Sequence, residues 1–570
     1  MTIRLLFALA SFVFLADGAF AQDLAGSLAA CEGRVVSEIV VTAREPVLPS
    51  LPSRLNWLTD AVGSLHTTTK AEVVEGFLLL SPGEPCTERR RAESERILRL
   101  QPFLAKATIR AIPDPVAGTT RIEVETTDEI SPVVDVRFRG ASPSSARLGS
   151  TNVAGQGLTL GAGVERGFAY RTGFRVHATA YQVFGRPYTF TFDLDQAPLG
   201  RTRSLSLGYP FLTDLQRGAW FMGYDELHAY TSFARPGLAD LSLEVRRRFW
   251  GLGGVRRLGI GRENAFVGAL ITQEDMAPAP YAVIVSDSGL VADTTDALGG
   301  PPPSYRNVRF NAVVGARVLS FTRARGFDAL LASQDIATGV QLGILVGRGI
   351  PRLGSAADDV FASADLYAGL GSPRSFASMR IGFEARRDLR PDRWDSMVGS
   401  GRVAWYTKPD EAHLLISSFE MAGGWRSRVP FQLRLGDLEG GVRGYAGSRA
   451  GGAVRGVGRV EHRWLLGEVA DRAAFAWATF ADLGQVWAGD ARIGMDTGLR
   501  AGVGAGLLVA FPPESNRTWR LDVAIPLASD PDARWEVRLT GTRVRPFWRE
   551  PDDVARARAD ASPATIFTWW

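Results

Sequence analysis

The chain has 570 residues, a formal net charge of +4, 45% hydrophobic residues, 62 glycines and 14 tryptophans. So small a net charge gives no special attraction to nucleic acid, and two cysteines with five scattered histidines cannot assemble a structural zinc site. The glycines and tryptophans suit a sheet protein that faces lipid.

The first residues read as an export signal over 1–21: Arg4 is the positive head, Leu5 to Leu15 the apolar run, and Ala19-Phe20-Ala21 the small-residue cleavage site. That run is too short to cross a bilayer as a helix. Export into an oxidising compartment lets Cys31 and Cys86 bridge or remain unbonded.

Residues 22–128 carry a mixed pattern. "VVSEIVVT" alternates as a strand with Val35, Ile39 and Val41 on one side. "TKAEVVEGFLLL" places Val73, Val74, Phe77 and Leu78 at helical spacing until "SPGEPC" stops it, and "RRRAESERILRL" reads as a second, highly charged helix with Ile97, Leu98 and Leu100 inward. The strands "KATIRAIPD" and "TRIEVETTD" follow. The order strand, helix, helix, strand, strand predicts a small α+β domain, with an insertion at Pro46 to Thr67.

Across 129–547 helical spacing disappears and period-two alternation takes over. "YTFTFDLDQ" sets Tyr188, Phe190, Phe192 and Leu194 against Thr189, Thr191, Asp193 and Asp195. "VRFNAVVGARV" sets Val308, Phe310, Ala312 and Val314 against Arg309, Asn311 and Val313, and "MRIGFEARR" sets Met379, Ile381 and Phe383 against Arg380, Gly382 and Glu384. A soluble sandwich hides its apolar face and places mostly neutral polar groups outside. Here the polar face is charged, as a wet lumen allows, and only a closed barrel satisfies every backbone group in lipid. At roughly 10 residues per membrane strand plus connections, the region accommodates about sixteen strands. The fold class predicted is therefore mainly β: a 16-stranded transmembrane β-barrel preceded by a small α+β domain. A tail, 548–570, follows it; it can be disordered, enter the lumen, or supply a terminal strand ending at Trp570.

Four elements recur in order near the end: "GGVRGYAGS" (440–448), "VEHRW" (460–464), "FADLGQVW" (480–487) and "RLDVAIPL" (520–527). With "STNVAGQGLTL" (150–160) and "LSLGYPF" (205–211), they make the chain resemble the BamA/TamA superfamily, in which POTRA domains precede an outer-membrane barrel of surface-antigen type. The resemblance implies that Gly441, Val442, Arg443, Gly444 and Tyr445 tip a long loop folded back into the lumen. Arg443 would there meet Glu461 and Asp482 as carboxylate partners. Parity agrees for Glu461, which faces the same way as Arg459 and Arg463. A guanidinium held by two carboxylates is directional and resists screening in a narrow lumen.

The resemblance further implies a bacterial outer-membrane location with 22–128 in the periplasm as a POTRA-like domain. Its partners would be the lipid bilayer, unfolded outer-membrane or secreted client proteins, and accessory periplasmic factors. The function expected is assistance to insertion, assembly or translocation of other proteins, by strand capture on the POTRA sheet and by a seam where the first barrel strand, about Val133 to Arg139, meets the last, about Trp535 to Val544. A two-partner-secretion-type pore with a dedicated client and a passive or structural barrel are the alternatives. No enzyme, cofactor or metal is expected. "GVGAG" (502–506) mimics a dinucleotide loop, but it sits in an alternating strand with no helix behind it, where small residues relieve crowding or curvature.

Overall fold

The structure, a computed structural model, describes residues 31–558 apart from 32, 47–62, 65, 140–141, 167–171, 198, 260–262, 287–288, 390–391, 437–439, 470–471, 529, 531–532 and 544–549. The export signal over 1–21, most of the insertion at 46–67 and the terminal Trp570 lie outside the described residues.

The N-terminal domain is built from β1 (Val35–Arg44), α1 (Ala71–Glu75), α2 (Glu88–Arg99), β2 (Leu104–Asp114) and β3 (Thr119–Asp128). Its sheet runs in the order β1-β3-β2, with β1 parallel and β2 antiparallel to β3. Val73, Val74, Phe77, Ile97, Leu98, Phe103, Ile109, Ile122 and Val124 form its buried core. Cys31 and Cys86 are joined by a disulfide that ties the segment before β1 to the loop before α2. The helix α1 is shorter than the apolar spacing suggests: Gly76, a poor helix former, caps it, and Phe77 and Leu80 reach the core from the turn beyond. The Thr87 hydroxyl accepts from the Arg90 amide to start α2. Leu100 is the C-cap and only half-buried, whereas Ser94, Glu95 and Arg96 are buried.

The barrel wall begins with β4 (Pro132–Arg139), β5 (Ser142–Ser150), β6 (Leu158–Arg166), β7 (Thr172–Ala180), β8 (Thr189–Gln196) and β9 (Gly200–Tyr209). Longer strands follow: β10 (Gly218–Phe233), β11 (Leu241–Leu258) and β12 (Glu263–Pro278). A short hairpin, β13 (Val283–Ser286) and β14 (Gly289–Ala292), extends past the rim before β15 (Tyr305–Arg325), β16 (Ser333–Gly349), β17 (Asp359–Gly371), β18 (Ser375–Leu389), β19 (Asp392–Thr407) and β20 (His413–Trp425). A lumen loop pairs β21 (Leu433–Arg434) with β22 (Gly451–Gly452), and β23 (Val454–Val469), β24 (Ala473–Trp487), β25 (Arg500–Ala510), β26 (Arg517–Pro526) and β27 (Glu536–Arg543) complete the wall. The strand order closes, with β27 next to β4.

Setting the rim hairpin aside, twenty strands form the wall among the described residues, against the sixteen expected. The expectation allowed too much chain per connection. Residues 372–374 join β17 to β18, and two residues join β18 to β19, so the same length of sequence holds more strands.

The two faces follow the sequence alternation. Phe310 and Val314 are exposed on the outside while Arg309 and Asn311 are buried inside; Ile381 and Phe383 are exposed while Glu384 is buried. The largest fully buried side chains include Arg309, Arg317, Arg386 and Arg455, an inversion of soluble-protein burial. They persist in the interior because they are paired: Arg309 with Asp359 at 3.0 Å and Arg386 with Glu274 at 2.6 Å. Among the described residues no helix is long and apolar enough to cross a membrane, which says nothing of strands.

The charged face of α2 docks on one mouth of the barrel. Arg99 holds Asp335 through bonds of 2.9 and 2.7 Å, Glu95 meets Arg323, and Arg96 donates to the Leu212 carbonyl at 2.6 Å with its guanidinium 4.1 Å from the Phe321 ring centre. These contacts explain why the charged residues of α2 are buried. Asn152, at the turn after β5, donates to Thr69 Oγ1 at 2.7 Å, and the Lys70 amide donates to the Gly155 carbonyl at 3.0 Å. A Cβ on Gly155 would meet the Thr68 carbonyl oxygen at 2.2 Å, so the turn's approach requires glycine.

The tail enters the lumen. Following β27, α3 (Asp552–Ala557) lies among inward-facing wall residues. Arg455 donates to Asp553 at 2.6 Å, Ser400 to Glu550 at 2.7 Å, and Val554 is fully buried with Val398, Ala422 and Leu433.

Candidate functional site

The segment 440–448 turns back into the barrel and presents Arg443 to the inner faces of β23, β24 and β26. The register sets Phe480 opposite Glu461 and Asp482 opposite Arg459, so these four side chains share the lumen face. Arg443 Nε donates to Asp482 Oδ2 and Nη2 to Asp482 Oδ1, both at 2.7 Å. The Arg443 amide also donates to Asp482 Oδ2 at 3.1 Å, and Nη1 reaches Glu461 Oε2 at 3.2 Å. Both oxygens of Asp482 are therefore taken by one residue, and its side chain is fully buried.

The carboxylates are shared. Arg520 holds Glu461 through two bonds of 2.8 Å and Asp522 through two of 2.7 Å, while Arg463 donates to Glu461 at 2.7 Å. Asp522 also lies 3.7 Å from Arg443. Three guanidinium groups thus face three carboxylates in a charge-balanced cluster, the arrangement a water-poor interior tolerates. The Arg443 guanidinium sits 3.5 Å from the Phe480 ring centre, adding a cation–π face to the ionic fork.

The surrounding glycines answer to this geometry. Gly444 has φ +93°, a conformation that lets Arg443 and Tyr445 diverge. Tyr445 is fully buried and donates to the carbonyls of Ala501 at 3.1 Å and Ala528 at 3.3 Å. The Gly444 amide donates to Glu536 on β27 at 2.9 Å, and the Gly441 carbonyl accepts from Arg459 at 2.8 Å. Val442 is buried against the wall at Gly484, where a Cβ would stand 2.5 Å from Val442 Cγ2. A Cβ at Gly502 would stand 2.2 Å from the Arg443 carbonyl oxygen, so Gly502 makes room for the loop, while Gly504 and Gly506 make room for Phe480 and Asp522.

Arg443, Glu461 and Asp482 come together directly, and Tyr445 packs away from the cluster rather than beside the arginine. Cys31 and Cys86 lie in the N-terminal domain, remote in sequence from every cluster member. Sequence reasoning missed Phe480, Arg520 and Asp522. The signal was present: Phe480 has the parity of Asp482, and Arg520 and Asp522 alternate with the lipid-type residues Leu521 and Val523.

A second polar cluster holds the junction between domain and barrel. Asp128, buried at the end of β3, accepts from the Thr69 amide and hydroxyl at 2.7 Å each. Burial, outweighing those bonds, pushes its carboxyl up to about 6. His66 stands 3.5 Å from Asp128 and bonds Ser131 at 2.9 Å, and burial lowers its pKa. Glu129, beside it, accepts from Ser515 at 2.8 Å and from the Asn516 amide at 2.7 Å. Arg517, at the start of β26, donates to the Ile130 carbonyl and to Thr151, both at 2.9 Å.

No protein-family model matches the chain, and no curated protein matches it. Among solved structures, CdiB from Escherichia coli is similar at 13% identity over 89% of this chain and 75% of that one, with a TM-score of 0.43. BamA from Haemophilus ducreyi lacking POTRA domains 1–3 is similar at 10% identity over 89% and 84%, with a TM-score of 0.37. CdiB from Acinetobacter baumannii is similar at 10% identity over 89% and 73%, with a TM-score of 0.39. In its motif order, its closed antiparallel barrel and its lumen loop pinned by Arg443, the chain resembles the BamA/TamA superfamily.

Proposed function

We propose that the chain is an outer-membrane protein that assists the insertion, assembly or translocation of other outer-membrane or surface proteins, with its N-terminal domain in the periplasm as a POTRA-type module. The observation that carries this reading is the occupied lumen. The loop at 440–448 is held by the Arg443 cluster and the tail by Arg455, while α2 is docked at the mouth. A barrel so filled with its own chain is a poor passive pore, and its buried charges hold structure rather than catalyse. Two working surfaces remain: the edges of the N-terminal sheet, suited to backbone pairing with an extended client, and the junction of β4 with β27, where parted edges would template an incoming strand in lipid.

Photo-crosslinkers installed at 133–139 and 536–543 in living cells test it. Capture of nascent barrel strands supports the reading; capture of lipid alone, together with unchanged levels of all other surface proteins after depletion, overturns it. The tail in the lumen favours one second reading, a secretion pore whose internal segment withdraws to pass a dedicated client. Crosslinks from Ser400 or Arg455 to a translocating polypeptide would select it.

A further inference from the structure

At the end of the barrel away from the N-terminal domain, the outer face carries an excess of arginine. Arg247 points inward, where it meets Glu274 at 3.0 Å, so its neighbours Arg246 and Arg248 point outward. The register places His228 opposite both Arg246 and Arg201, Glu226 opposite Arg248 and Arg203, and Asp275 opposite Arg248 and Arg306. Together with Glu244, which accepts from Arg246 at 2.8 Å and bonds His228 at 2.9 Å, five arginines share three carboxylates on one outer surface.

The carboxylates are already committed. Arg306 holds Asp275 at 2.6 Å; Glu226 lies between Arg201 at 3.3 Å and Arg248 at 3.7 Å. Arg203 has no carboxylate partner among the described residues. The side chains of Arg246, Arg248 and Arg306 are 67, 66 and 58% exposed. Elsewhere on this rim, Arg348 and Arg387 are each matched singly, with Asp358 and Asp392. Four of the five arginines, Arg201, Arg246, Arg248 and Arg306, line a concavity of about 820 Å³ together with Glu226 and Asp275.

Its height along the wall decides what it meets. Two residues below Arg248, Trp250 is opposite Tyr224, and Trp250 bonds Gln273 at 3.0 Å. Two further down, Leu252 and Met222 are exposed and opposite each other. Aromatic pairs of this kind sit at the headgroup level of a bilayer. At about 3.3 Å per residue, Arg248 stands about 7 Å beyond Trp250 along the strand, within the headgroup layer where lipid phosphates lie, and Arg246 stands at its outer edge. Guanidinium forks match phosphate oxygens in geometry and charge.

We propose that this outward arginine cluster on β9, β10, β11, β12 and β15 is a binding site for the phosphate-bearing headgroup of an outer-leaflet lipid, a phosphorylated glycolipid filling the concavity. The site rests on the bilayer placement proposed above. The two fail differently: a chain outside the membrane does not float with liposomes at all, whereas a chain lacking this site floats normally.

The test uses the full chain, purified in detergent and exposed to bis-phosphorylated lipid A, dephosphorylated lipid A or phosphatidylcholine, with lipid retained after gel filtration read by native mass spectrometry. Wild-type protein retains the phosphorylated glycolipid in preference to the other two. Arg203→Gln/Arg248→Gln/Arg306→Gln lowers that retention at least tenfold with heat-modifiable gel mobility unchanged. Arg256→Gln, outward at the opposite end of β11, leaves it intact. Should the triple variant misfold, Arg203→Gln alone is read, with at least a threefold loss expected, because it unpairs no carboxylate. Equal retention by variant and wild type, equal retention of dephosphorylated lipid, or full displacement by millimolar inorganic phosphate overturns the proposal; the last would mark a free-anion site.

Discussion

Arg443 and Asp482, 39 residues apart in sequence, are joined by three hydrogen bonds, two from the guanidinium and one from the main-chain amide. The carboxylate therefore fixes both the side chain and the backbone of the loop tip. A lysine there could reach one oxygen but could not form the fork.

Replacing Arg443 by Ala strands Asp482 in the lumen, and removing one partner of a buried pair costs about 3–5 kcal/mol. The loop is expected to leave the wall, seen as new protease cleavage within 432–453 and as a lowered unfolding temperature of the barrel on heat-modified gels. Arg443→Lys should fall between the two. Wild-type protease resistance in Arg443→Ala would show that the cluster does not hold the loop.

Asp553→Asn leaves the fully buried Arg455 without its carboxylate. By the same reasoning the tail should shift toward a released state by about tenfold or more. Planar-bilayer recordings should show frequent openings in the variant and in a chain truncated after Arg543, against rare openings in wild type. Identical conductance in all three would mean that the tail does not obstruct the lumen.

The junction predicts a pH dependence with two opposing parts. Asp128, raised to about 6 when folded, contributes stability that is present below its unfolded value of about 4 and is lost as pH rises through 6. His66, lowered by burial, contributes stability that is present above about 6.5 and is lost as pH falls through its folded value. Relative to wild type, His66→Gln should therefore gain stability between pH 7.5 and pH 5, and Asp128→Asn should lose it. Thermal unfolding of the N-terminal domain, followed at both pH values, gives the signs; parallel shifts in all three proteins would refute the assignment.

The disulfide between Cys31 and Cys86 closes a loop with a sequence separation of 55. Chain-entropy reasoning gives about 4 kcal/mol for a loop of this length. Cys31→Ser/Cys86→Ser should lower the denaturant midpoint of the N-terminal domain while leaving the barrel transition in place. A single unchanged midpoint would exclude the bond as a significant support.

Much of this architecture is written in local pattern. The alternation around Phe310 and Ile381 gives the two faces directly, because parity along a strand is a property of the backbone. Arg443, Glu461 and Asp482 were legible from motif order, with parity supporting Glu461, whereas Asp522 was not. The strand number was not, because turn length has no periodic signal, and short connections such as 372–374 look like strand in composition. The lumen path of the tail was one of three readings that the sequence left open: Asp553 and Arg455 are 98 residues apart, and the charged run around Asp553 resembles a solvated end as much as a lumen segment. Phe480 was missed despite sharing the parity of Asp482, because an apolar ring carries no polar signal of its own, and yet it underlies a guanidinium.

Arg517 grows from β26, yet its guanidinium reaches past β27 to Ile130 and Thr151, which flank β4 and β5. Glu129 repeats the span in the other direction through Ser515 and Asn516. The two sides of the closure are thus clasped at their base by the linker that leads from the N-terminal domain. If β27 parts from β4 as proposed, prising them from this end requires the clasp to be undone first, so undocking of the domain would precede parting of the wall.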